Sequence, residues 1–234
     1  MNFHTNKKMA FVVAIDGPAG SGKGTITKLV GKKMGLINVD TGAMYRCATL
    51  DCLNKNILPE ELEKIEKVLE EIDIRFERNS EKELVFLNGK DVTEEIRSTI
   101  VNSNVAKYAA VKIIRDKMTP LQREMGKQSN IIMEGRDIGT VVFPDADVKI
   151  FLDCSIEERA NRRFKQNQEK GIVCTYEEVL ESIKERHKLE TEREVAPFVQ
   201  AEDAIYVDST KLTIDEVVEK IVKIIEEKRN NINN

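Results

Sequence analysis

The stretch "GPAGSGKGT", Gly17 to Thr25, sets Gly17, Gly20 and Gly22 ahead of Lys23 and a hydroxyl at Thr25. Glycines at this spacing let the backbone wrap an anion, turning N–H groups inward where a following helix presents the positive end of its dipole. Pro18, Ala19 and Ser21 complete the loop, and Lys23 supplies a point charge for terminal phosphates. The pattern departs from G-x-x-x-x-G-K-[ST] at Gly24, where a magnesium-binding hydroxyl is usual. Thr25 is the next hydroxyl and the expected metal ligand. A small residue at Gly24 also leaves room for a second phosphate to approach, which hints at a phosphoryl acceptor.

A phosphate loop requires a strand before it and a helix after it. The run "AFVVAID" has the continuous apolar character of a strand buried on both faces, and "TITKLVGKKMG" has helical spacing that stops at Gly35. "NIIM" (Asn130 to Met133), "VKIFLD" (Val148 to Asp153) and "AIYVD" (Ala204 to Asp208) are further buried strands, separated by helix-like segments. That alternation predicts an α/β chain with a parallel sheet covered on both sides. Two regions break the rhythm. "DIRFERN…ELVFLNGKDVT" predicts a small antiparallel insertion turning at Asn88-Gly89, and Ile156 to Glu194, dense in Arg, Lys and Glu, predicts a pair of helices projecting from the core. The tail "LTIDEVVEKIVKIIEEKRNNINN" predicts an amphipathic helix on the sheet that frays into its Asn-rich end. The first eight residues have the same loose character, with Met9 as an alternative start.

Composition narrows the class. A chain of 234 residues with 41% hydrophobic and 33% charged residues is long enough for one sizeable core and a smaller appended unit. The formal net charge of -4 gives no basic face for a nucleic acid polymer. The longest apolar run is too short to span a bilayer, and with no secretory pattern ahead of it the expectation is a cytoplasmic protein. Cys47, Cys52, Cys154 and Cys174 are scattered without a C-x-x-C pair and are expected to be reduced thiols. With no distinct apolar interface stripe, a monomer is expected.

Together "GPAGSGKGT", "DTGAMYR" (Asp40 to Arg46), "EGRDIGTVVFPDA" (Glu134 to Ala146), "VKIFLD" and the "IKER…R…APF" stretch (Ile183 to Phe198) resemble the bacterial cytidylate kinases, which are nucleoside monophosphate kinases. The resemblance covers nearly the whole chain from Met9 to about Lys228. It implies a phosphate-loop, three-layer fold around a five-stranded parallel sheet, with a core (9–40, 105–155, 198–228), a monophosphate-binding region with an antiparallel insertion (41–104), a helical lid (156–197), and flexible ends at 1–8 and 229–234. It also implies ATP on the loop, CMP or dCMP opposite, and Mg2+ bridging the donor phosphates.

By that resemblance Arg46 and Arg136 clamp the monophosphate, for which a guanidinium fork is well suited. Both lie beside expected strand ends, where ligands of open α/β sheets gather. Thr41 matches an acceptor-side hydroxyl, or else caps the helix that starts "GAMYR". Arg115 and Asp137 match the cytosine readers, with a structural pairing of Asp137 to Arg136 as the competing role. Arg186, Glu190 and Arg193 match positions holding sugar and phosphate from the mobile segment. Of Arg159, Arg162 and Arg163 in the charged helix, Arg159 and Arg163 are the expected fingers on the transferring group. Glu134 either holds the metal through water or serves at the core edge, and Asp208, Ser209 and Thr210 are expected along the adenine. Ala106 stands where the family often has a serine, and Glu190 where it usually has an aspartate. The competing readings are a kinase of other monophosphates, a nucleoside kinase and a nucleotide-sensing switch, the last lacking N-K-x-D.

Overall fold

A computed structural model describes residues 10–78 and 83–233. Positions 1–9, which include the expected loose N-terminus and Met9, lie outside the described residues. Five parallel strands, β1 (Val12–Asp16), β2 (Ile37–Asp40), β6 (Ile131–Gly135), β7 (Val148–Asp153) and β8 (Ile205–Asp208), form a sheet in the order β2-β6-β1-β7-β8. β1 and β6 are buried along their whole length, their apolar runs giving way near the carboxyl ends to buried Asp16 and Glu134. β2 sits at the sheet edge with a mixed exposure pattern and polar Asn38 and Asp40, so a search for buried apolar runs passes over it.

The two faces of β1 go to different cores. Val13 and Ile15 pack with Ile26 and Val30 of α1 (Lys23–Met34) and with Val217, Ile221 and Ile225 of α8 (Ile214–Asn233). Val12 and Ala14 pack with Ile131, Met133, Ile138 and Val142 on the other side. This period of two on each strand builds the three layers. α8 continues as helix to Asn233, through positions expected to be a flexible end.

The largest apolar cluster is separate from the two that cover β1. It joins α2 (Thr41–Asn54), α3 (Leu62–Glu71), α4 (Thr99–Ala109) and α5 (Lys112–Gln128) through Met44, Ile65, Val105, Ile114 and Met118, running continuously across positions 104 and 105. Against it lies a three-stranded antiparallel sheet of β3 (Ile74–Arg78), β4 (Glu83–Leu87) and β5 (Lys90–Asp91). Its β4–β5 turn has Asn88 at φ 50 and Gly89 at φ 81, the positive-φ pair that a tight hairpin requires. The projecting helices α6 (Ile156–Glu169) and α7 (Tyr176–Glu192) share a small core of Ala160, Val179 and Ile183, and Thr175 opens α7 with a reciprocal capping box to Glu178.

All strands of the parallel sheet end at one edge, and at the end of β1 Asp16 ties that edge together. Its carboxylate accepts from the N–H groups of Ile138 and Gly139, each at 2.8 Å, in the turn after β6. Burial nevertheless pushes its pKa from 3.8 up to about 6. The folded state therefore binds this proton more tightly than the unfolded chain, so the associated stabilisation is full below pH 3.8 and is lost as pH rises through 6. Denaturant unfolding of wild type and Asp16→Asn across this range checks it. The stability margin of wild type over the variant is expected to shrink by roughly 2–3 kcal/mol between pH 4 and pH 7, and a margin that stays constant contradicts the assignment.

Candidate active site

Residues from every layer line one cavity of about 920 Å³. Its floor is the phosphate loop, from Ala19 to Thr25; Gly17 and Pro18 do not line it. Gly22 is the N-cap of α1 at φ 87, a left-handed conformation that keeps the loop turning into the helix. Lys23 is only 6% exposed, and its Nζ donates to the Pro18 carbonyl at 2.8 Å and to Ser21 Oγ at 3.3 Å. Burial, then the neighbouring Arg136, push the Lys23 ammonium below its usual range, while Glu134 and Glu190 push back.

Gly24 has a structural reason. A Cβ there would lie 3.3 Å from Glu134 Oε1, so the side-chain-free position makes room for that carboxylate. Thr27 Oγ1 donates to Glu134 Oε1 at 3.2 Å. Burial and the Asp40 charge raise the Glu134 pKa above the ordinary carboxylate value, against the opposing pull of Lys23. Thr25 is exposed and lines the same cavity, so a hydroxyl and a carboxylate flank the lysine with oxygen donors.

Across the cavity stand guanidinium groups from three elements. Arg46 on α2 folds back beside Gly42, and its Nε donates to Asn102 Oδ1 at 3.3 Å. Burial, with repulsion from Arg186, Arg97 and Arg136, brings its pKa down to about 10. Arg136, just after β6, donates from Nε to Glu190 at 2.7 Å and lies over the Phe198 ring at 6.0 Å. Arg186 on α7 donates to the other oxygen of Glu190 at 2.8 Å. Glu190 is thus a buried anion between two guanidinium groups; burial raises its pKa, but Arg136 and Arg186 outweigh that and hold it well below the usual carboxylate range. Thr41 also lines the cavity, although its hydroxyl donates to the Glu134 carbonyl at 2.7 Å. The cap of α2 is Asp40, which accepts from Ala43 N at 3.1 Å, so Thr41 is not the cap.

At the far end, Asp137 forms a buried ion pair with Arg115 and a second contact, at 3.6 Å, with Arg193. Its charge partners are therefore Arg115 and Arg193, with Arg136 committed to Glu190. Arg193, matched from the sequence to sugar and phosphate, contacts Asp137. Tyr45, Val105, Ala106 and Ala109 line this end, and Arg115 stacks over Tyr45 at 5.2 Å.

Over the loop lie Arg162 and Arg163 of α6. Arg162 donates to the carbonyls of Ser21 (3.2 Å) and Ser209 (3.0 Å), tying the projecting helix to the loop and to the segment after β8. Arg163 is pushed below its usual pKa by burial, then by Arg186 and Arg136, which places it at the cationic centre. Arg159 does not line the cavity; it is 5% exposed, packs against Gly20, and its Nε and one terminal nitrogen have no hydrogen-bond partner. Ser209 lines the cavity, with Leu212, Thr213, Ile214 and Val217, whereas Asp208 and Thr210 do not; Thr210 Oγ1 instead accepts from Ser155 N at 3.0 Å. Sequence reasoning singled out neither Tyr45 nor Arg97 as cavity-lining groups, although Tyr45 lies within the Asp40–Arg46 motif; Arg97 lies outside all of the motifs.

An amide cradle facing arginines across a cavity at the carboxyl edge of a parallel sheet defines a phosphate-loop kinase. The comparisons with known proteins name the family. A model of the cytidylate kinase family matches residues 13–227. The chain is 49% identical to the cytidylate kinase of Caldicellulosiruptor saccharolyticus over 212 residues, covering 91% of this chain and 94% of that protein. It is 48% identical to the cytidylate kinase of Fusobacterium nucleatum over 215 residues, covering 92% and 97%. The chain belongs to the cytidylate kinase family. Among solved structures, TT1252 from Thermus thermophilus has the same fold at 16% identity, with a TM-score of 0.50 and coverage of 94% of this chain and 98% of that one. An uncharacterized protein from Eubacterium ventriosum does so at 12% identity and a TM-score of 0.51, covering 92% and 98%.

The position of Glu190 makes a stability prediction. Removing its charge with Glu190→Gln leaves Arg136 and Arg186 without their shared anion, at a cost of about 3 kcal/mol. Because the Glu190 pKa is depressed, the stabilisation is present above 4.5 and is lost only at lower pH. Urea unfolding is expected to show the deficit of the variant undiminished from pH 8 to pH 5; equal stabilities at pH 7 contradict it.

Proposed function

We propose that the protein transfers the γ-phosphoryl group of ATP to CMP and dCMP, giving ADP and the nucleoside diphosphate. The observation that carries this reading is that Lys23 and the loop amides line the same cavity as Arg46, Arg136 and Arg186. An acceptor phosphate oxygen is already ionised at neutral pH, so the transfer needs no general base. The work is to hold two polyanions in line and offset the charge on the moving group. In this reading the loop and Lys23 hold the ATP phosphates, and Arg46, Arg136 and Arg186 hold the monophosphate with Glu190 keeping Arg136 and Arg186 in place. Arg163 serves the transferring group from above. Arg159, buried against Gly20 with Nε and one terminal nitrogen unpaired among the described residues, supports the loop from behind and reaches the phosphates only if α6 moves.

Mg2+ fits this donor set, since it favours oxygen ligands and keeps much of its water. Thr25, with Glu134 acting through water, would hold it, and the ion would offset charge on the donor phosphates. Asp137 and Arg115 read the base: the carboxylate accepts from the cytosine amine, and the guanidinium donates to the ring nitrogen and carbonyl. Uracil presents a carbonyl where cytosine has its amine, so an acceptor would meet an acceptor, a mismatch that buried sites penalise strongly. Arg193, at Asp137, adds a cation to this end rather than to the sugar. No helix among the described residues is long and apolar enough to cross a membrane. The reading places a monomeric enzyme in the cytoplasm, acting on free nucleotides.

A coupled assay over the common monophosphates tests it. CMP and dCMP are expected as substrates, with kcat/KM for UMP lower by at least about 100-fold. Arg136→Ala is expected to lose roughly 100-fold or more in kcat/KM for CMP. Equal rates with UMP refute the cytosine assignment, and an unaffected Arg136→Ala removes the acceptor-site assignment.

A further inference from the structure

Arg97 has no role in the reading given above. It closes a short 3-10 turn (Glu95–Arg97) after the antiparallel insertion, a segment that otherwise serves as scaffold. Its side chain is 40% exposed and lines the shared cavity with Thr41, Arg46 and Arg136. Its one ion pair among the described residues is loose, a terminal nitrogen at 3.4 Å from Asp40 Oδ2. Asp40 is already engaged, because its other oxygen caps α2 by accepting from Ala43 N. Arg97 is also close enough to Arg46 for repulsion from it to help depress the Arg46 pKa. The two arginines share a mount as well: Asn102 donates from Nδ2 to the Arg97 carbonyl at 2.7 Å while its Oδ1 accepts from Arg46 Nε.

A half-exposed guanidinium facing a cationic cavity, held by one long contact to a carboxylate with another task, is poorly satisfied where it stands. A dianionic phosphate between Arg46 and Arg136 offers it a stronger partner than Asp40 does. We infer that Arg97 is a further phosphate-binding residue of the acceptor site, held next to the cavity by Asp40 and transferring to the phosphate of the bound monophosphate. The insertion then supplies a ligand contact as well as a scaffold, and Asp40 competes with substrate for it. This rests on the kinase reading above.

Three variants with steady-state kinetics test the assignment. Arg97→Gln is expected to raise KM for CMP about 10-fold with KM for ATP unmoved, the split that loss of one charge-assisted phosphate contact gives. Arg97→Lys, which restores the charge without the fork, is expected to recover part of that loss. Asp40→Asn keeps an N-cap but frees Arg97, and KM for CMP is expected to fall about two- to threefold. Since phosphate and not base is contacted, the ratio of kcat/KM for CMP to that for UMP is expected to stay at the wild-type value in Arg97→Gln. An Arg97→Gln enzyme with wild-type KM for CMP overturns the inference. So does an Asp40→Asn enzyme whose KM for CMP rises as much as that of Arg97→Gln, because the pair is then a structural tie. A wild-type enzyme that turns over CMP separates failure of this assignment from failure of the kinase reading, and a wild type with no activity on any monophosphate overturns both.

Discussion

The structure depends on keeping like charges together in a desolvated space. Lys23, Arg46, Arg136, Arg163 and Arg186 meet around one cavity, and burial or mutual repulsion lowers the pKa of Lys23, Arg46 and Arg163. Such a cluster stands only if internal anions offset it. Glu190 does this for Arg136 and Arg186, and Asp137 for Arg115 and Arg193. Glu134 does it for Lys23, aided by the missing side chain at Gly24.

These anions also bind the parts of the molecule to one another. Glu190 and Arg186 belong to a projecting helix, whereas Arg136 follows a central strand, so the buried charge triad joins α7 to the core. Phe198 extends that junction, stacking on Phe151 of β7 at 5.3 Å beneath the Arg136 guanidinium. At the phosphate loop Arg162 links α6 to the carbonyls of Ser21 and Ser209. The contacts that join α6 and α7 to the core therefore belong to the charge balance of the cavity.

Much of this is legible in the chain. The loop with its strand and helix, the central strands, the antiparallel insertion with its Asn88-Gly89 turn and the paired projecting helices all carry local signals, because periodicity and turn chemistry act over a few residues. β2 was hidden because an edge strand ending in Asp40 carries no buried run. The arginines of the motifs are visible, but their partners are not. That Asp137 pairs with Arg115 and Arg193, that Thr41 donates to Glu134 while Asp40 caps α2, and that Arg162 rather than Arg159 faces the cavity are outcomes of packing between distant segments. The tail likewise runs on as helix to Asn233, past the end of the apolar stripe at Ile225 and despite the weak helix propensity of asparagine.

The claim beneath all of this is that one cavity holds two phosphorylated ligands face to face. Calorimetric binding of a compound joining adenosine to cytidine through five phosphates tests it directly. The account predicts affinity at least about 100-fold greater than that of ATP or CMP alone, because both halves seat at once. A compound that binds no more tightly than ATP contradicts it.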